Sequence, residues 1–140
     1  MFKIAGHDIT PEQAAILLDD GLFRGVPCWG RVHKSRPPKF KTGVALPEHI
    51  TVAWEVNNLL AGGEMEIRDE TAMDSSNKDI LWHFDLQAFE RGLNLFAVNT
   101  PVMFQTIMAM FKAGLEKGVD LTKEGDKVIQ LGLFGEIKYS

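Results

Sequence analysis

The chain has 140 residues, 45% of them hydrophobic and 24% charged, which bounds it to one globular domain (1–140) able to bury a core without disulfide staples. No apolar run is long enough to span a bilayer, and the lone Cys28 rules out an internal disulfide. The net charge of −4 conceals an asymmetry: Arg24, Arg31, Lys34, Arg36, Lys39 and Lys41 lie in a stretch free of acids, and the rest carries nine basic against nineteen acidic residues.

In chain order, residues 2–5 read as a short strand turned by Gly6-His7-Asp8. Thr10-Pro11-Glu12-Gln13 then opens a helix over 11–20, with Thr10 as cap, Pro11 in the first turn and Gln13 closing a capping box. Gly21 suits the position just past that helix. Strands are expected over 28–34, 40–46 and 50–56, the last because Ile50, Val52, Trp54 and Val56 alternate with smaller or polar residues. Two more, over 64–68 and 79–84, flank a polar loop at Asp74-Ser75-Ser76-Asn77.

The second half reads as helical. Asp85 precedes Leu86, Phe89, Leu93 and Phe96, spaced near 3.6 residues, and Thr100-Pro101 repeats the cap-then-proline signal. Met103, Phe104, Ile107, Met108, Met110, Phe111 and Leu115 make the next amphipathic stretch, ended by Gly118. Its apolar residues nearly encircle it, which points to packing against a second subunit in a homodimer. Residues 126–139 suit either a strand or a helix packed on both sides, with Gly132 and Gly135 allowing close approach. The expected fold class is α+β: an antiparallel sheet of four to five strands, an N-terminal helix and a C-terminal group of two to three helices.

The closing stretch, Asp126-Lys127-Val128-Ile129-Gln130-Leu131-Gly132-Leu133-Phe134-Gly135-Glu136-Ile137-Lys138-Tyr139, resembles the end of a family of small uncharacterised bacteriophage and prophage proteins. There an acidic residue precedes an Ile-Val-Gln-like core, then Leu-Phe-Gly-Glu and a late aromatic. The segment from Leu81-Trp82-His83-Phe84-Asp85 to Gly92-Leu93 resembles that family's strand running into a helix. Cys28-Trp29 falls where the family has tyrosine before tryptophan, a departure at this point. The likeness covers about a third of the chain and carries no activity or catalytic residues. Separately, Gly6-His7-Asp8-Ile9-Thr10-Pro11-Glu12-Gln13-Ala14 resembles the opening of small C-terminal repeats in some bacterial topoisomerases, which implies nucleic-acid contact.

Reaction chemistry finds little purchase. One cysteine and four scattered histidines cannot supply the close ligand pairs of a structural zinc site, so neither metal nor cofactor is expected. Cys28 lacks a nucleophile-elbow context and reads as a small core residue. The glycines around Arg24 and Arg31 match no phosphate-binding fingerprint. What the segment offers is an anion site: Arg24, Arg31, Lys34 and Arg36 as cationic contacts, His33 beside them, and an exposed Trp29 for stacking.

The expectation is therefore a cytoplasmic, non-enzymatic phage accessory protein for host takeover or counter-defence. It would sequester a nucleotide-like anion or occupy a host protein. The alternatives are nucleic-acid binding through residues 31–41, and a small hydrolase or nuclease depending on His33 or His83.

Overall fold

The computed structural model describes residues 2–38, 52–73 and 79–139. Its order is β1 (Phe2–Ile4), β2 (His7–Ile9), α1 (Pro11–Asp20), β3 (Gly30–Arg36), α2 (Trp54–Leu60), β4 (Glu64–Met73), β5 (Asp79–Phe84), α3 (Leu86–Asn99), α4 (Pro101–Lys112) and α5 (Thr122–Phe134). The protein is α+β. In place of one sheet of four to five strands, the described residues form an antiparallel hairpin, β1–β2, and a separate antiparallel sheet ordered β3-β4-β5. The expected strand over 40–46 and the loop at 74–77 lie outside the described residues.

Helix α1 begins as its sequence dictates. Thr10 Oγ1 accepts from the Gln13 N–H at 3.1 Å, and Gln13 Oε1 accepts from the Thr10 N–H at 3.0 Å. Gly21 does not stop the helix. It keeps right-handed angles and leads into a π-helical turn, Gly21–Gly25, then a 3-10 turn, Val26–Cys28. A Cβ on Gly21 would strike the backbone of Gly125, so this glycine serves close approach to α5 rather than termination. The strand expected over 28–34 starts later, at Gly30, and Cys28 is exposed rather than core.

The strand expected over 50–56 is overturned: Trp54–Leu60 is helical. Burial follows Val56, Leu59 and Leu60, a helical spacing, while Trp54 stays 63% exposed. The two-residue alternation was a coincidence of composition at the mouth of a helix. Downstream, Asp85 caps α3 by accepting from the Ala88 N–H at 2.9 Å. Thr100 does not cap α4; its hydroxyl donates back to the Phe96 carbonyl at 2.8 Å. Helix α4 buries Phe104, Ile107, Met108 and Phe111, leaves Val102 80% exposed, and ends at Lys112, short of Gly118.

The closing stretch, ambiguous in sequence, is helical as far as Phe134, and that helix organises the rest. On one side α5 meets the π-helical turn through Gly125 against Gly21; on another it meets α3 through Gly132 against Ala88 and Gly92. At both places a Cβ would enter a neighbouring backbone carbonyl. Gly135, with φ of 75°, then turns the chain out of the helix. No single helix among the described residues is long and apolar enough to cross a membrane.

Candidate functional site

The cationic stretch folds into a surface already supplied with acids. Strand β3 pairs with β4 through Arg31↔Arg68 and, past a bulge that leaves His33 without an opposite residue, through Lys34↔Glu66 and Arg36↔Glu64. The outer face of the sheet therefore holds one like-charged pair, Arg31 and Arg68, and two opposite-charged pairs beyond the bulge. Arg31 Nε lies 2.7 Å from Glu70, and Arg36 reaches Glu66 at 2.9 Å and Glu64 at 3.4 Å. Arg24 sits elsewhere, between Asp20 and Asp120 at 3.7 and 3.8 Å. Lys34 and His33 are exposed on β3. The six expected site residues thus do not converge. The described arginines among them are matched by carboxylates that lie far off in sequence or one helical turn away.

His83 is drawn into the same face, with Nε2 3.0 Å from Glu64 and 3.7 Å from Asp85. An imidazole beside two carboxylates has the residue types for acid–base work, but the surface over Glu64, Glu66 and His83 encloses no cavity in which a substrate could sit.

Trp29 corrects a second expectation. It is 2% exposed, stacked on Tyr139 at 5.2 Å and 18°, with its edge on Phe134. Its Nε1 donates to Asp126 Oδ1 at 2.8 Å. With one face stacked on Tyr139 and almost none of its surface exposed, it is not the open stacking platform the sequence suggested. Around it lies an aromatic cluster: Trp82 packs edge-on against Phe134 at 4.7 Å, and the Lys138 ammonium sits over Trp82, Phe134 and Tyr139 at 5.3 to 5.5 Å.

Two fully buried polar side chains tie this cluster together. Gln130 accepts from the N–H groups of Lys138 and Tyr139 at 3.0 and 2.8 Å, and donates to the Tyr139 carbonyl at 2.9 Å and Asp126 Oδ2 at 3.0 Å. Asp69, on the inner face of β4, accepts from the Tyr139 hydroxyl and from the N–H and hydroxyl of Thr71. Trp82 Nε1 is 3.4 Å from the same carboxylate. The tail after α5 is thereby latched back onto the sheet.

Beside the latch opens a cavity of about 610 Å³, within the size range of small-molecule sites. Gly25, Cys28 and Trp29 wall it on one side, Thr122, Lys123 and Asp126 of α5 on another, and Thr71 with the tail residues Lys138 and Tyr139 close it. Lys123 and Lys138 are both exposed and border the same opening. Thr122 Oγ1 is buried and has no hydrogen-bond partner among the described residues. The N–H groups of Leu121 and Thr122, at the start of α5, are already taken by Asp20 and Asp120 at 2.9 Å.

Two carboxyls respond to this environment in opposite senses. Burial pushes Asp126 up, and the hydrogen bonds from Trp29 and Gln130 only partly offset it. Burial also pushes Asp69 up, but hydrogen bonds from Tyr139, Thr71 and Trp82 outweigh it and hold that carboxyl below the usual range. A carboxyl depressed in the folded state stabilises the fold above its unfolded pKa of about 3.9, and that contribution disappears as pH falls through the folded value. Tyr139→Phe, which removes one charge-assisted hydrogen bond, should cost about 1.5–3 kcal/mol at pH 7. The difference between wild type and variant should shrink in acid, as pH falls below the ordinary carboxylate range and Asp69 takes up a proton. Urea denaturation at neutral and acid pH measures it, and an undiminished difference in acid would remove Asp69 from the latch.

No family model, curated protein or solved structure matches the chain. Any functional reading therefore stands on the geometry of its own residues. Among the described residues, no group of three or more His, Cys, Asp or Glu is placed to hold a metal ion. Of the six residues expected from sequence to bind a ligand, only Trp29 borders the cavity. Lys123, Lys138, Thr122 and Asp126 gave no local signal, since they meet only once α5 and the tail are folded.

Proposed function

We propose that the protein is a non-enzymatic binding protein that holds a small, nucleotide-like anion in the cavity bordered by Lys123 and Lys138. The observation that carries this reading is that two exposed lysines and a Thr122 hydroxyl with no partner among the described residues border a cavity large enough for a nucleotide. The apolar wall at Gly25, Cys28 and Trp29 suits a ligand with an uncharged body. The likeness of the closing stretch to phage and prophage proteins supports a role in host takeover or counter-defence. Nucleic-acid binding through residues 31–41 is less favoured, because phosphates at Arg31 and Arg36 would have to displace Glu70, Glu64 and Glu66.

Isothermal calorimetry against mononucleotides, dinucleotides and cyclic oligonucleotides tests the reading. At least one ligand should bind, and the double reversal Lys123→Glu with Lys138→Glu should weaken it at least tenfold. Absence of heat from every ligand, together with an unchanged melting temperature, would refute anion binding.

A further inference from the structure

We propose a second, independent site: the groove between strand β2 and helix α4 binds an extended peptide by strand addition. The groove, about 560 Å³, is walled by Gly6, His7 and Asp8 on one side and by Met108, Ala109 and Lys112 on the other. A strand edge facing a helix across such a gap is a geometry in which an added peptide gains main-chain hydrogen bonds on one flank and side-chain contacts on the other.

The hairpin fixes which backbone groups are on offer. Its turn, Ala5-Gly6, has positive φ at both residues, 49° and 82°, as a tight two-residue hairpin requires. The register is Ile4↔His7, Lys3↔Asp8 and Phe2↔Ile9. In a two-residue hairpin the pair flanking the turn exchanges hydrogen bonds, and the alternation of an antiparallel ladder makes the next pair non-bonded. The N–H and C=O of Asp8 therefore point away from β1, toward an added strand. Among the described residues β2 has no neighbour but β1.

The groove is held open by packing rather than by chance. The His7 ring meets Phe104 of α4 edge-on at 5.6 Å, while Gln13 reaches the Phe111 carbonyl at 3.4 Å. The first contact sets the distance between hairpin and α4 and the second ties α1 to the same helix, so a peptide would enter a formed slot and lose little by ordering it. Charge then selects the occupant. The exposed Lys112 at the last turn of α4 borders the groove beside Met108 and Phe111, while Asp8 offers its main chain, its side chain lying on the other face of the hairpin opposite Lys3. The complementary partner is an extended segment whose main chain pairs with Asp8, with an apolar residue over the floor and an acidic residue reaching Lys112.

A positional-scanning library of blocked octapeptides, read by fluorescence anisotropy on the full chain, tests this without reference to the anion cavity. The expected result is an enriched peptide with an acidic residue at one fixed position. Ala109→Trp, an exposed site on α4, should fill the groove and cost at least tenfold in affinity. Lys112→Glu should reverse the preference from acid to base. Methylating the peptide amide that pairs with Asp8 should also cost at least tenfold. The proposal is overturned if no peptide outcompetes its scrambled control, or if binding survives Ala109→Trp and amide methylation. It is equally overturned if the same variants instead dissolve a dimer of this chain, since the groove would then be a self-interface.

Discussion

Gly132→Ala should destabilise the fold by on the order of 3 kcal/mol, a large part of the roughly 5–15 kcal/mol that holds a domain together. In a solvent-exposed helix the same change would help, because alanine gains about 1 kcal/mol over glycine in helix propensity. Here the new methyl would enter the backbone carbonyl of Ala88, inside a contact between α3 and α5 that also includes Gly92. The helices would have to separate, opening gaps along Ala88, Phe89 and Val128, all fully buried or nearly so. Sterics therefore outweigh propensity. Gly118→Ala is the control, since a Cβ there meets nothing within 4 Å, and it should be neutral or slightly stabilising. Chemical denaturation of both variants decides the matter, and equal midpoints would mean that α3 and α5 do not approach as closely as described.

Gln130→Met should have the second largest effect, with a different signature. The side chain fills nearly the same volume but abandons its hydrogen bonds to Lys138, Tyr139 and Asp126. If the tail stayed docked, the orphaned main-chain groups would cost about 1–3 kcal/mol each. If it came loose, water would satisfy those groups, and the loss would be limited to the docking of Tyr139 against Trp29 and Asp69. The cheaper path wins, so the tail should detach before the domain unfolds. Tryptophan emission should shift to the red and the amides of residues 138 and 139 should exchange faster, with only a modest fall in the unfolding midpoint. A large fall in midpoint with unchanged emission would show instead that the glutamine supports the core directly.

What could be read from the sequence is what closes within a few residues. The box of Thr10 and Gln13 and the Asp85 cap are complete in four positions, so their helices began where expected. The pair of strands around 64–84 was legible from composition and turn chemistry for the same reason. Helix α2 was not, because its alternating residues imitate a strand, and burial at Val56, Leu59 and Leu60 is decided by tertiary packing. Nor was the fate of Trp29, whose polar partner, Asp126, is separated from it by 97 positions. The basic run and the acidic residues of β4 were both visible as composition. Their mutual neutralisation depends on register, which one-dimensional charge counting does not contain.

The bulge at His33 bears on how relatives of this chain would look. Because Val32 pairs with Ile67 and Lys34 with Glu66, the residue between them occupies no rung of the ladder. A chain shorter by that one residue would keep every rung, every arginine–glutamate contact and the same inward-facing side chains. Removing a residue on either side would instead force the bulge to be absorbed or the remainder of β3 to turn its charges toward Met65 and Phe84. Position 33 is thus where the strand can change length without changing face, and a gap falling there in an alignment would carry no structural meaning.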